Sequence, residues 1–143
     1  MDVEFIKLSK HNVKPCLACM KCVDKNVCVI GDDGNTIAEE VKEADALIVA
    51  AYTPYSSIDA RTKTILERLY CLRHKHGYMQ GKPEGIIATS AVPCMPEAPP
   101  VAEGVANSVA AYMEEEGMQI VGDAKILGNA PCVNSQMIVS LVV

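Results

Sequence analysis

Four cysteines lie close together near the start of the sequence, in the segment Cys16-Leu-Ala-Cys19-Met-Lys-Cys22-Val-Asp-Lys-Asn-Val-Cys28. Two residues separate the first cysteine from the second and the second from the third, and five separate the third from the fourth. Gaps this short let the backbone wrap around one point and aim successive sulfurs at it. The pattern therefore predicts one inorganic centre. Its ligands would be Cys16, Cys19, Cys22 and Cys28.

The spacing favours a 4Fe-4S cluster over zinc. Three cysteines at consecutive two-residue gaps are typical of cluster ligands in bacterial ferredoxins, whereas structural zinc more often takes two cysteine pairs separated by a longer finger. A disulfide framework is disfavoured because the chain has seven cysteines, an odd number, and opens with charged residues instead of a secretory signal. A thioredoxin-type redox pair at Cys16 and Cys19 remains an alternative, but it leaves Cys22 and Cys28 unexplained.

Composition limits the class of protein and its partners. The 143 residues suffice for a hydrophobic core, and we expect one domain over residues 1–143 with a Cys-rich loop at 15–30. A net charge of -5 and the lack of a basic run argue against nucleic acid as a partner. The apolar runs are too short for a membrane span, so we expect a cytoplasmic protein without a membrane partner.

Strand and helix patterns alternate along the chain. Strands are predicted at residues 3–8, 46–51, 85–89 and 118–127, and helices between them at about 36–44, 58–77 and 101–117. In the first strand, Val3, Phe5 and Leu8 are expected to face the core, and Cys71 is expected to be a buried apolar residue of the second helix. This alternation predicts an α/β fold with a parallel sheet, whose ligands bind beyond the carboxyl ends of the strands.

Three further features accompany the cysteine run. They are the segment Tyr52-Thr53-Pro54-Tyr55-Ser56-Ser57 after the second strand, Lys63 with Glu67-Arg68 in the next helix, and the Gly81-Lys82 and Gly117-Met118 junctions before later strands. Together these features resemble the iron-sulfur flavoproteins, a branch of the NAD(P)H-dependent FMN reductase family. The resemblance covers most of the chain.

The resemblance implies a fold, two cofactors and their binding residues. The fold would be a flavodoxin-like three-layer sandwich with a mostly parallel sheet, incomplete at the N-terminus. The family's four-cysteine motif corresponds to Cys16, Cys19, Cys22 and Cys28 as ligands of a 4Fe-4S cluster. The FMN-binding residues would be Tyr52, Thr53, Pro54, Tyr55, Ser56, Ser57, Thr89 and Ser90. No side chain is expected to act as a catalytic acid or base.

The sequence departs from the family pattern at two places. Family members begin with a further strand, a Gly-Ser-rich phosphate loop and a helix, whereas this sequence starts at what resembles the second strand. We therefore expect the FMN phosphate to lack its usual anion site. The third flavin loop, at 89–96, contains prolines where the family tends to have glycines.

The missing first strand would leave a central position of the sheet vacant. The C-terminal segment 137–143 is apolar and β-branched, and we hypothesise that it fills this position as a buried parallel strand, from the same chain or a neighbouring copy. The alternative is that this segment begins a last helix.

The leading functional hypothesis is an electron-transfer oxidoreductase, similar to the FMN reductases, that passes electrons between a 4Fe-4S cluster and FMN. Its expected partners are FMN or another small redox ligand, a redox protein and further copies of the chain in a homo-oligomer. One alternative is a remnant domain that binds a cluster or zinc and docks on a partner without turnover. Another is that the natural start lies upstream of Met1, so that the natural product has the ordinary flavin site.

Overall fold

The computed structural model describes residues 2–90, 101–127 and 140–142. The strands are β1 (Phe5–Lys7), β2 (Leu47–Tyr52), β3 (Pro83–Ser90), β4 (Gln119–Leu127) and β5 (Ser140–Val142). The helices are α1 (Asp33–Glu43), α2 (Ala60–Leu69) and α3 (Val101–Glu115), with single 3-10 turns at Leu8–Lys10, Pro54–Ser56 and Tyr70–Leu72. The predicted alternation of strands and helices is confirmed.

The five strands form one sheet in the order β1-β5-β2-β3-β4. β2 pairs in parallel with β3, and β3 pairs in parallel with β4. β5 runs antiparallel to both of its neighbours, β1 and β2. Four of the five strands therefore share one direction, which confirms the prediction of a mostly parallel sheet.

The position between β1 and β2 is taken by the C-terminal strand. Ser140 lies between Lys7 and Ala50 in the register of the sheet. The hypothesis that the C-terminal segment fills this position is thus confirmed for residues 140–142 of the same chain, but the predicted direction was wrong. β4 ends at the carboxyl edge of the sheet, and a strand entering from that edge runs back antiparallel, whereas a parallel strand requires a crossover. Residues 137–139 and 143 lie outside the described residues.

The predicted face of the first strand was wrong for two of its three residues. Side chains alternate between the faces of a strand. Ile6 is buried, at 3% exposure, while Phe5 is 54% and Val3 is 63% exposed. Leu8 is buried as predicted. Leu8 lies two residues after Ile6, so the same alternation places it on the core side although the strand ends at Lys7.

The core lies between one face of the sheet and the helices. Leu47, Val49 and Ala51 alternate as buried residues along β2, and the intervening side chains are half-buried. The predicted apolar stripes of the helices are buried against this face. Their buried members are Ile37, Ala38 and Val41 of α1, Ile65, Leu66 and Leu69 of α2, and Val105, Val109 and Met113 of α3. This packing fixes where the helices begin and where the loops leave the sheet.

Lys82 connects the start of β3 to the end of α1. Its ammonium group donates hydrogen bonds to the carbonyl oxygens of Val41, Lys42 and Ala44, at 2.9, 2.6 and 2.6 Å. These are carbonyls at the helix C-terminus, where a cation is favourable. Gly117 follows the end of α3 with a φ of 71°, close to the predicted end of this helix at residue 117.

No helix within residues 2–90 and 101–127 has the length and apolar character needed to cross a bilayer.

Candidate functional site

The cysteine loop, residues 15–30, turns back on itself several times between β1 and α1. Ala18, Met20 and Asn26 all have positive φ angles, of 49°, 58° and 52°. Residues with a Cβ pay energy to adopt this left-handed conformation, and they keep it only where the surrounding structure requires it. The Ala18 amide donates to the Cys16 sulfur at 3.4 Å, and the Asn26 amide donates to the Cys22 carbonyl at 2.9 Å. The backbone is therefore wrapped tightly around the thiols.

The structure brings the four predicted cysteines of this loop to one small cavity of about 30 Å³. Cys16, Cys22 and Cys28 are half-buried, Cys19 is exposed, and all four are free thiols. The remaining lining residues are mostly apolar: Leu17, Ala18, Met20, Val29, Ile30 and Tyr70. Three of these side chains, Leu17, Met20 and Val29, are 70%, 52% and 55% exposed, so the cavity lies at the surface of the protein beneath an apolar rim.

The four thiols share one cavity, but the described residues contain no group of three Cys, His, Asp or Glu side chains arranged to hold one metal ion. A 4Fe-4S cluster takes one thiolate at each iron, so its ligands would not have to converge on a single point. The Ala18 amide donates a hydrogen bond to the Cys16 sulfur, and hydrogen bonds to the sulfurs are one of the factors that set the potential of such a cluster.

The thiols of the loop influence each other electrostatically. Burial raises the pKa of the Cys22 thiol, and although a backbone hydrogen bond lowers it, the other three loop cysteines raise it further. Several thiolates in one cavity therefore repel each other when no cation is bound. Bound iron would remove this cost, because a coordinating thiol is deprotonated by the metal.

A buried arginine of α2 fastens the loop to the rest of the fold. The Arg68 guanidinium donates to the Lys14 carbonyl at 2.9 Å and to the Asp32 carboxylate at 2.8 Å. The Arg68 side chain is 0% exposed and that of Asp32 is 4% exposed. A third, longer hydrogen bond reaches the Ile30 carbonyl at 3.3 Å. One side chain thus holds both ends of the cysteine loop.

Asp32 serves this anchor and α1 at the same time. It accepts hydrogen bonds from the amides of Lys14 at 2.8 Å and Gly34 at 3.0 Å, the second of which caps α1. Burial on its own raises the pKa of Asp32, but the hydrogen bonds from Arg68, Lys14 and Gly34 outweigh it and lower that pKa below its ordinary value. Asp32 is therefore both the N-cap of α1 and a partner of the arginine that holds the cysteine loop.

Asn26 and Cys71 form a second attachment behind the loop. The side-chain amide of Asn26 donates through Nδ2 to the Cys71 carbonyl at 2.9 Å, and both residues are buried. Burial raises the pKa of Cys71 to about 11, so this residue is a neutral thiol at neutral pH. The prediction that Cys71 is a buried apolar residue is confirmed. Cys94 and Cys132 lie outside the described residues.

The two segments predicted to contact a flavin meet at the carboxyl edge, which we define as residues 52–57 and 89–90 at the ends of β2 and β3. Tyr52 and Thr89 are partners in the sheet register. The Thr53 amide donates to the Thr89 carbonyl at 3.1 Å. The Thr53 hydroxyl is buried without a hydrogen-bond partner among the described residues. A buried hydroxyl in this state fits a site that receives a polar ligand group.

The turn at Pro54–Ser56 presents its residues to solvent. Tyr55 is fully exposed, at 101%, and has a φ of 51°, while Ser56 has a φ of 57°. This turn packs against α3 where Gly104 has no side chain, and a Cβ at Gly104 would overlap the Ser56 carbonyl oxygen. Sequence reasoning missed this contact, although a glycine inside a predicted helix is a signal of close approach. Residues 91–96 of the third predicted flavin loop lie outside the described residues.

The N-termini of α1 and α2 are closed to a phosphate group. Asp59, which is 1% exposed, accepts hydrogen bonds from the amides of Arg61 and Thr62, both at 3.0 Å. Asp32 occupies the equivalent place on α1. Each carboxylate consumes the amide donors that an anion would need and adds a negative charge. Neither of these two helix N-termini therefore offers free amide donors to an anion.

The chain matches the sequence pattern of the family described as NADPH-dependent FMN reductase over residues 1–94. That span contains the cysteine loop and both segments of the carboxyl edge. The chain belongs to the NADPH-dependent FMN reductase family. A protein named iron-sulfur flavoprotein from Methanosarcina thermophila is 29% identical over 127 residues, which cover 89% of this chain and 64% of that protein.

A second relative named iron-sulfur flavoprotein, from Archaeoglobus fulgidus, is 31% identical over 96 residues, or 67% of this chain and 43% of its own length. The resemblance of this member of the FMN reductase family to the iron-sulfur flavoproteins is confirmed. The chain spans less than two thirds of the length of these curated relatives.

Two solved structures have a similar fold. The Trp repressor binding protein from Bacillus subtilis has a TM-score of 0.54 at 18% identity, covering 70% of this chain and 65% of that one. An NADPH-quinone reductase from P. pentosaceus has a TM-score of 0.53 at 13% identity, covering 66% and 61%. At this level of identity the likeness concerns the fold alone, and it confirms the flavodoxin-like fold.

Proposed function

We propose that this chain is an electron-transfer oxidoreductase in which a 4Fe-4S cluster and FMN exchange electrons. The observation that carries the proposal is the cavity of the cysteine loop, where four thiols meet. A cluster bound there supplies one-electron chemistry. The ligands would be Cys16, Cys19, Cys22 and Cys28, and the Ala18 amide would stabilise the sulfur of Cys16.

The proposed flavin site is the carboxyl edge. Ligands of open α/β sheets bind beyond the carboxyl ends of the strands, which is where residues 52–57 and 89–90 lie. We assign contacts to the flavin ring to Tyr52, Thr53, Pro54, Tyr55, Ser56, Ser57, Thr89 and Ser90. The buried Thr53 hydroxyl supports a polar contact to the ring. The phosphate of FMN would find no free amide donors at the capped N-termini of α1 and α2.

The proposed electron donor is a reduced nicotinamide, in keeping with the FMN reductase family, and the proposed acceptor is a redox protein. Four apolar side chains of the cysteine loop are exposed, and this exposure supports docking of a protein partner there. They are Leu17, Met20, Val27 and Val29, with exposures of 70%, 52%, 46% and 55%. A homo-oligomer in which copies share the flavin is part of the same proposal.

A second candidate function follows from the helix N-termini. Because Asp32 and Asp59 close α1 and α2 to phosphate, FMN would have to bind without an anion site on either helix. We therefore retain, as an alternative proposal, a domain that binds a cluster or zinc and docks on a partner protein without flavin turnover.

An anaerobic reconstitution separates the two candidates. The full chain is incubated with ferrous iron, sulfide and FMN, desalted, and assayed for iron, sulfide, zinc and flavin together with its ultraviolet-visible spectrum. Iron and sulfide near four per chain with bound flavin would support the electron-transfer function. Iron and sulfide without flavin would support the docking domain. Zinc alone, or no bound metal, would overturn the cluster assignment.

A further inference from the structure

Arg68 occupies a position where the pattern of α2 calls for an apolar residue. It lies three residues after Ile65 and next to Leu69, on the stripe that packs against the core, and it is 2% exposed. A charged side chain is costly to bury unless it is paired and hydrogen-bonded. The position therefore requires an explanation beyond the packing of α2.

The hydrogen bonds of Arg68 all lead to the cysteine loop and the first turn of α1. Beyond Lys14, Ile30 and Asp32, the guanidinium reaches the Asn35 side chain at 3.4 Å. The planar group of arginine can donate in several directions at once, which a lysine ammonium cannot do with the same rigidity. Arg68 thereby fixes the distance between the entrance and the exit of the segment that contains all four cysteines.

The fourth cysteine of the loop lies close to the same guanidinium, because the Asn35 side chain that accepts from Arg68 at 3.4 Å also donates to the Cys28 carbonyl at 3.0 Å. Burial on its own lowers the pKa of Arg68, but the hydrogen bond to Asp32 and the facing side chains of Cys28 and Asp32 raise it above its ordinary value. Gly34 leaves room for this arrangement, because a Cβ there would stand 2.9 Å from the Arg68 Nη2 atom. The sequence thus places a permanent positive charge beside Cys28 and clears the space that the charge needs.

We propose that Arg68 is a positioning residue that also sets the redox potential of the cluster bound by the loop, through its charge beside Cys28 and its hold on both ends of the loop. This inference rests on the proposed function. Reduction adds one electron, and hence one negative charge, to the unit formed by the cluster and its thiolates. A nearby positive charge stabilises the reduced form more than the oxidised form, so it raises the midpoint potential.

A substitution at Asp32 tests whether the midpoint potential shifts in the direction that the charges predict. Its carboxylate offsets part of the charge of Arg68, so removing it should raise the potential, whereas removing the charge of Arg68 should lower it. A purely structural role predicts a different pattern, because both substitutions break the same 2.8 Å ion pair and would loosen the loop in the same way. The direction of the two shifts therefore separates electrostatics from loop stability.

The experiment is a spectroelectrochemical titration of the anaerobically reconstituted full chain. We compare the wild type with Arg68→Gln, Arg68→Lys, Asp32→Asn and the control Arg61→Gln, which removes a positive charge from an exposed position of α2. We expect the equilibrium constant for reduction to change at least tenfold, which is about 59 mV in midpoint potential for one electron, with a lower potential in Arg68→Gln and a higher one in Asp32→Asn. Arg68→Lys keeps the charge but not the hydrogen bonds of the guanidinium, so its potential should lie between those of Arg68→Gln and the wild type, and Arg61→Gln should stay close to the wild type.

Amide hydrogen exchange of the same chains before reconstitution provides a reading that needs no cluster. Exchange in residues 14–30 should be at least tenfold faster in Arg68→Gln than in the wild type, with α3 unchanged. The inference would be overturned if the midpoint potentials of Arg68→Gln and Asp32→Asn shifted in the same direction. Unchanged midpoint potentials in variants with full iron content would also overturn it. If Arg68→Gln does not fold, a fall or no change of potential in Asp32→Asn would also overturn it. A wild type that takes up no iron would instead overturn the proposed function, and unchanged exchange would then count separately against the anchoring role.

Discussion

Glu84 and Glu116 bring two carboxyl groups together in the interior, between the start of β3 and the end of α3. Glu84 is 1% and Glu116 is 6% exposed, and within the described part of the chain both oxygens of Glu84 and one of Glu116 lack hydrogen-bond partners. Burial and then the proximity of Glu116 raise the pKa of Glu84 to about 9. Burial also raises the pKa of Glu116 to about 7, against the lowering effect of Arg73.

This pair should make the protein less stable as the pH rises. The folded state keeps protons that the unfolded state releases near the ordinary glutamate pKa of about 4.3, so the free energy of unfolding should fall from there up to the raised pKa values. We expect the melting temperature to decrease from pH 5 to pH 8 and the decrease to be clearly smaller in Glu84→Gln. Thermal unfolding followed by circular dichroism measures both. Glu114→Gln, an exposed change on α3, is the control, and an identical pH dependence in Glu84→Gln would contradict the prediction.

The four loop cysteines should differ from Cys71 in their effect on iron. Serine at Cys22 removes a thiolate ligand, and we expect Cys22→Ser to retain less than about a third of the wild-type iron and sulfide after desalting, since loss of a soft ligand weakens iron binding. Cys71→Ala removes a buried thiol beside the loop and should keep the iron, at a cost of about 1 kcal/mol in unfolding free energy. Equal iron content in the two variants would argue against the assignment of the ligands.

Riboflavin and FMN should bind with similar affinity. The carboxylates of Asp32 and Asp59 close the N-termini of α1 and α2, so the phosphate of FMN gains no helix site there. We expect dissociation constants within about threefold of each other, because 1.4 kcal/mol of phosphate binding would already give tenfold. Fluorescence quenching of each flavin by the full chain measures this. A preference for FMN of about a hundredfold would show a phosphate site that the capped helices do not supply.

Replacing Gly104 by alanine should weaken flavin binding and stability together. Alanine normally stabilises a helix relative to glycine by about 1 kcal/mol. Here the new Cβ would overlap the Ser56 carbonyl, so we expect a loss of about 1–3 kcal/mol instead and a shift of the turn at Pro54–Ser56.

Asn107→Ala, at an exposed position of the same helix, serves as the control and should be neutral or slightly stabilising. Urea unfolding and flavin titration measure the two effects. A Gly104→Ala variant that loses stability but binds flavin as tightly as the wild type would contradict the placement of the flavin at this turn.

The sequence sufficed for features that depend on local pattern. The periodic apolar residues of α1 and α3, the stop at Gly117 and the meeting of the four cysteines in one loop all follow from spacing along the chain. The adjacency of Tyr52 and Thr89 follows from the parallel order of strands, since neighbouring strands end at the same edge.

Predictions of features that depend on partners distant in the sequence were missing or only partly correct. The direction of β5 depends on how the chain reaches its place between β1 and β2, and no local sequence pattern determines this. The pairing of Arg68 with Asp32 joins residues 36 positions apart, and only the place of Arg68 on an apolar stripe hinted at burial. The face of β1 was misjudged because its strand is three residues long, too short for alternation to fix the phase.

The position of β5 has a consequence for the order in which the protein is made. Within the described residues, β1 is joined to β2 in the sheet only through residues 140–142, which are synthesised more than a hundred residues after β1. The ladder that holds the base of the cysteine loop therefore cannot close until this late segment has emerged, and contacts so distant in sequence form slowly. Iron delivered before then would meet a loop whose neighbouring strand is still unpaired, so the proposed cluster should be inserted only after residues 140–142 have paired.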